Sequence, residues 1–162
     1  MTAGSSASAA ADGGAVGGQP AGAGARADPA TRGTVWEVPR SAAAVSRVRR
    51  ELRAVLERAG VRADTCDSVL LVAHELMVNG VEHGRTAVRL TVGWGVRDVR
   101  IDVHDGSSVP PVIQPMDPRA ARGRGLQMVQ GLAARWGWRL DGDGKTVWAD
   151  VSTRQGHPSP AA

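Results

Sequence analysis

Three side chains able to do chemistry recur at four-residue intervals in the stretch DTCDSVLLVAHELMVNGVEHG: the carboxylate of Glu75, the carboxamide of Asn79 and the imidazole of His83. At about 100° per residue, positions i, i+4 and i+8 drift slowly around a helix and form one polar ridge. The same stretch carries Val69, Val72, Ala73, Leu76 and Met77 at the spacing of a buried face. The pattern predicts a helix capped by Asp64 and closed at Gly84, with the ridge rimming a cleft. Polar residues at this spacing are also common on a plain solvated face, so the ridge needs further signals.

Three follow along the chain. Asp105 and Gly106 end an alternating run in VHDGSS; Gly123, Arg124, Gly125 and Leu126 open a helix; Gly144, Lys145 and Thr146 lead a final strand. A helix opening on glycines offers free N–H groups and a positive dipole end to a phosphate. Each could equally be a turn, a helix start or a hairpin exit.

The elements that would position these residues read in order. Thr34 to Val38 is a short strand, and Ser41 caps a helix whose Val45, Val48, Leu52, Val55, Leu56 and Ala59 share a face before Gly60 stops it. After the central helix the period becomes two, with Val88, Leu90, Val92 and Trp94 followed by Val99, Ile101 and Val103 as a hairpin. Residues 107–122 carry four prolines and read as a long loop. A helix over Gly123 to Trp136 follows, and Trp138 to Leu140 pairs with Lys145 to Val151 across DGDG. The expected fold is α+β: a two-layer sandwich, mostly antiparallel, with helices on one face.

Composition bounds the function. Residues 1–33 hold eleven Ala and eight Gly, too little apolar surface to offset ordering entropy, so they and residues 154–162 are expected to be tails around one domain over 34–153. The net charge of +4 comes from 19 Arg and one Lys against 16 acids, interleaved as in RVRRELRAVLER and without Phe or Tyr, which argues for a solvated charged face and against nucleic acid. No apolar run approaches the ~18 residues that a membrane span needs. With Cys66 alone and no leader pattern, a cytoplasmic location is expected. His74 and Glu75 begin a zinc motif, but Val78 stands where the second histidine belongs.

The order of these signals, with HELMVNGVEHG, GRGLQMVQGLAARWG and DGKTVWADV, resembles the GHKL ATP-binding fold shared by histidine kinases and Hsp90, the Bergerat fold, and within it the anti-sigma factor serine/threonine kinases of actinobacteria. The resemblance covers residues 34–151. It implies ATP and Mg²⁺ as cofactors and a sigma factor and an anti-anti-sigma (STAS-type) protein as partners, and it leaves a homodimer open. It implies that Glu75 is the general base and that Asn79 holds Mg²⁺ and phosphate oxygens, with His83 at the far end of the ridge. By the same resemblance Asp105 meets the adenine amino group, Gly123 and Gly125 form the lid hinge and phosphate loop, Thr146 supports the adenine side through water, and Gly106, Arg124 and Leu126 complete the nucleotide-binding set. Arg119 and Arg122 lie nearby to neutralise phosphate. The family's D-x-G has Gly where this chain has Ser107. The implied activity is phosphorylation of an anti-anti-sigma partner; a module that holds such a partner without phosphorylating it is the alternative.

Overall fold

Alternation along the strands and helical spacing between them sort the side chains into one buried layer and two faces. A computed structural model describes residues 32–112 and 124–153. The elements are β1 (Arg32–Val38), α1 (Ala42–Arg58), α2 (Ala63–His83), β2 (Val88–Trp94), β3 (Asp98–Asp105), α3 (Gly125–Leu132), β4 (Arg135–Asp141) and β5 (Gly144–Ser152). The strands form one sheet in the order β1-β2-β3-β5-β4, and all four pairings are antiparallel. Residues 1–31 and 154–162, with Arg119, Arg122 and Gly123, lie outside the described residues.

The core is the layer between helices and sheet. Val45, Val48, Leu52 and Leu56 of α1 and Val69, Val72, Ala73, Leu76 and Met77 of α2 are buried against Val88, Leu90, Val92, Val99, Ile101 and Val103. Burying side chains of this size contributes roughly 1.5–3 kcal/mol each before entropy is counted, so this apolar stripe fixes how α2 lies on the sheet. Ser41 caps α1 as its type predicts, its Oγ accepting from the Ala44 N–H at 3.2 Å, and Gly60 follows the helix at φ +75°. Among the described residues no helix is long and apolar enough to cross a membrane.

Three boundaries differ from the sequence reading. The first strand begins at Arg32, not Thr34, because Arg32 and Gly33 pair with Trp94 and Gly93 through backbone that no side-chain pattern records. The cap of α2 is Arg62, and Asp64 sits inside the first turn, where its Oδ1 accepts from the Thr65 N–H at 2.7 Å and its Oδ2 meets Arg62 at 2.6 Å. The Arg62 guanidinium, then the Thr65 N–H, hold the Asp64 carboxyl below the usual range. The third helix ends at Leu132, and Ala133 is extended. Trp136, expected on that helix, lies in β4 opposite Ala149, with Trp138 opposite Val147. Gly137 between them lies against the Trp148 ring, where a Cβ would come within 2.9 Å of Cζ2, so W-G-W is a strand reading that the helical count obscured.

Candidate functional site

The ridge on α2 splits into a part that faces the site and a part that leaves it. Glu75 and Asn79 are half-buried, whereas His83 is exposed. The reason is the drift itself: each four-residue step adds about 40°, so His83 stands about 80° round from Glu75 and clears the cleft. The structure therefore does not bring His83 together with the other two.

Glu75 meets the start of α3. Gly125, the first residue of that helix, lies so near that a Cβ on it would fall 2.6 Å from Glu75 Oε2 and 3.5 Å from its Cβ. Leu126, 7% exposed, anchors this turn in the core, while Arg124 before it is exposed. A carboxylate thus stands where helical N–H groups have no partners within the helix and the dipole is positive. Asn79, one turn along α2 toward the sheet's Asp105, has no side-chain hydrogen bond among the described residues.

Asp105 ends β3 on the helix-facing side, 2% exposed, with Gly84 at the end of α2 packed on it so that a Cβ there would lie 3.0 Å from Asp105 Cβ. Its Oδ1 accepts from the Ser107 N–H at 2.8 Å and from Lys145 Nζ at 2.9 Å. The Lys145 side chain is 4% exposed, so this is a buried ion pair, in which each charge depends on the other for compensation. Ser107, where the family pattern has Gly, is buried too: its N–H closes the turn onto Asp105 and its Oγ accepts from the Val109 N–H at 3.2 Å. Gly106 lies under Thr86, where a Cβ would come within 2.8 Å of Oγ1.

Thr146 is not beside Asp105. In the β3–β5 register Lys145 stands opposite Asp105 and Thr146 opposite His104, and directly opposed residues share a face. Thr146 therefore points to the helix-free side, where its Oγ1 donates to Asp141 Oδ2 at 2.6 Å and lies 3.3 Å from His104 Nδ1. The residue the sequence reading passed over is Lys145. Its signal was parity: Lys145 is in phase with Val147, Ala149 and Val151, all buried, so it had to face inward.

A cleft of about 340 Å³ lies on the helix-free face, lined by Arg89, Asp102, His104, Arg139, Asp141 and Thr146 among others. It is a concavity away from the Glu75 and Asp105 side of the sheet. Its arginines are already neutralised, Arg89 by Glu37 at 2.8 Å and Arg139 by Asp102 at 3.3 Å. Bonding to Glu37 raises the Arg89 guanidinium above its ordinary range. The helix-facing residues are thus the better candidate for an anionic ligand.

Among the described residues no three His, Cys, Asp or Glu side chains converge as a metal site. A hard divalent ion would rest here on the Asn79 oxygen and on the ligand's own phosphates, the sparse protein set that Mg²⁺ accepts.

Comparison with known proteins gives one family. The model of the histidine kinase-like ATPase domain matches residues 38–151, from the end of β1 to the end of the sheet's last strand, and so spans Glu75, Asn79, Asp105 and Gly125. No individual curated protein matches the chain. An ATPase domain implies ATP as its nucleotide, and the helix-facing placement of a carboxylate, a carboxamide and a buried Asp accords with that. With most of its length covered and, among the described residues, an antiparallel sheet packed by helices, the chain belongs to the histidine kinase-like ATPase family.

Proposed function

We propose that this protein is an ATP-dependent serine/threonine protein kinase acting as an anti-sigma factor, which phosphorylates an anti-anti-sigma partner of the STAS type. The observation that carries the phosphotransfer reading is the Glu75–Gly125 approach, which puts a carboxylate at the mouth of a helix N-terminus, with the free carboxamide of Asn79 one turn away. The nucleotide fits these residues: the missing Cβ of Gly125 lets the Glu75 carboxylate reach the first turn of α3, and Asn79 would offer an oxygen to Mg²⁺. ATP supplies the phosphoryl group when bound.

Glu75 would take the proton from an incoming serine or threonine hydroxyl as that oxygen bonds to the γ-phosphorus of ATP, the bond from that phosphorus to the β–γ bridging oxygen breaks, and ADP leaves. Asn79 would hold the metal ion by its carboxamide oxygen, and the first N–H groups of α3 with Arg124 would offset phosphate charge. Positioning and neutralisation of this kind make up most of phosphoryl-transfer catalysis. The partners rest on the family resemblance alone.

The second reading, a module that holds its partner without phosphorylating it, draws on Asp105 Oδ1 being already engaged by Lys145. Transfer of radiolabelled phosphate from Mg-ATP to candidate STAS-domain proteins separates the two. Glu75→Gln should lower transfer by ~10² to 10⁴ and leave ATP binding intact. Transfer at the wild-type rate by that variant rejects the kinase reading.

A further inference from the structure

The outer side of α3 lacks what a solvated helix face carries. Its residues, GLQMVQGL, include no charge, yet Met128, Gln130 and Gly131 are exposed, Met128 at 36%. On α1, by contrast, Arg47, Arg49, Arg50 and Glu51 all stand in solvent. Water-facing helix sides are rich in charged residues, whereas the centres of protein–protein contacts are depleted in charge and enriched in Met. Gly131 is a second, separate signal. Glycine weakens an exposed helix relative to alanine, and no packing or left-handed turn within the described residues requires it here: nothing lies within 4 Å of its missing Cβ, and its φ is not positive. A glycine of this kind suits the close approach of another backbone.

This uncharged side runs directly away from Glu75. Gly84, at the end of α2, packs on Asp105, whereas the N–H of Ala134, just past α3, donates to Asp150 near the other end of β5 at 2.8 Å. The two helices are therefore antiparallel and meet where Gly125 faces Glu75. One turn back along α2 stands Leu71, half-buried and outside the hydrophobic core, level with Met128 one turn on along α3. Leu71 and Met128 thus lie about one helical turn, ~5 Å, from the carboxylate, and Gly131 about one turn further. A protein that brings a hydroxyl to Glu75 has to place the neighbours of that hydroxyl against these residues.

Resting on the reading of Glu75 as the group that meets the hydroxyl, we propose that Leu71, Met128 and Gly131 form the shelf on which the phosphoacceptor protein docks. The shelf selects an apolar, uncharged side chain about 5 Å from the accepted serine or threonine hydroxyl, seated between Leu71 and Met128. The backbone next to that side chain comes down on Gly131. A charged residue in that place would lose its hydration with no opposite charge on α3 to replace it, and is rejected.

The test uses the full chain and the STAS-domain protein that the wild type phosphorylates, with KM for that protein, kcat and calorimetric Mg-ATP affinity measured separately. Met128→Lys should raise KM at least about tenfold, and Met128→Leu should leave it near the wild-type value. Gly131→Ala should raise KM about threefold or more. In all three, kcat and Mg-ATP affinity should stay within about threefold, the pattern of lost binding and not of lost chemistry. Gly131→Ala keeps the test sound should Met128→Lys fail to fold. A KM that neither Met128→Lys nor Gly131→Ala moves overturns the proposal while leaving the kinase reading standing. So does a loss of ATP affinity with KM unchanged, which would mean that this chain covers the shelf itself. A wild-type dimer that Met128→Lys dissociates would give the shelf to a second copy and overturns it too. A wild type that phosphorylates no STAS-domain protein overturns the kinase reading, and the proposal with it.

Discussion

Gly125 stands where a Cβ would come within 2.6 Å of Glu75 Oε2, so the first residue of α3 and the carboxylate of α2 set one another's position. The atom that would have to yield is the far end of a flexible side chain, not backbone. Gly125→Ala should therefore fold and keep its Tm within a few degrees, yet displace Glu75. Because a misplacement of about 1 Å can cost ~10²-fold in rate, phosphoryl transfer should fall by about that much with ATP affinity little changed. Rate and affinity measured side by side check this; a rate equal to the wild type's refutes the role of the contact.

Asn79→Ala should fail differently. Loss of a group that merely supports a metal ligand costs roughly 10–100-fold in metal affinity, so loss of the ligand oxygen itself should lower Mg-dependent ATP affinity by at least that. Titration with ATP in the presence and absence of Mg²⁺ isolates the effect. If the two wild-type curves already coincide, Asn79 holds no metal.

Two glycines give a paired stability test. At Gly84 a Cβ would meet the Gly80 carbonyl oxygen as well as Asp105 Cβ, both firmly placed, so Gly84→Ala should destabilise by roughly 1–3 kcal/mol. Gly131, exposed on α3 with nothing near its missing Cβ, should behave in the opposite way. There alanine should stabilise by roughly 0.5–1 kcal/mol. Urea unfolding of both variants reads the sign directly, and equal signs would contradict the packing at the end of α2.

Cys66 is 1% exposed, and burial pushes its thiol up. Native protein at pH 8 should resist thiol reagents and react fully once unfolded. The unfolded chain ionises its thiol first, near ~8.5, so this residue's stabilising contribution is complete below that pH and declines as pH climbs through the raised folded value. A Cys66→Ser variant should lose that alkaline component; rapid labelling of the folded wild type would show that α1 and α2 open there.

The sequence by itself determined the elements whose pattern is local. Val69 to Met77 announced the buried face of α2, Ser41 and Gly60 bounded α1, and the alternation at Val88–Trp94 and Val99–Val103 paired two strands, because burial and capping follow from residue type and spacing along one segment. It also placed Glu75 and Asn79 on one ridge, one turn apart. What only the tertiary structure decided is what faces what. His83 left the cleft because helical drift accumulates, and Trp136 became strand because β5 needed an edge partner. Thr146 exchanged places with Lys145 beside Asp105 because strand register, set by pairing between segments forty residues apart in sequence, sends alternate side chains to opposite faces of the sheet.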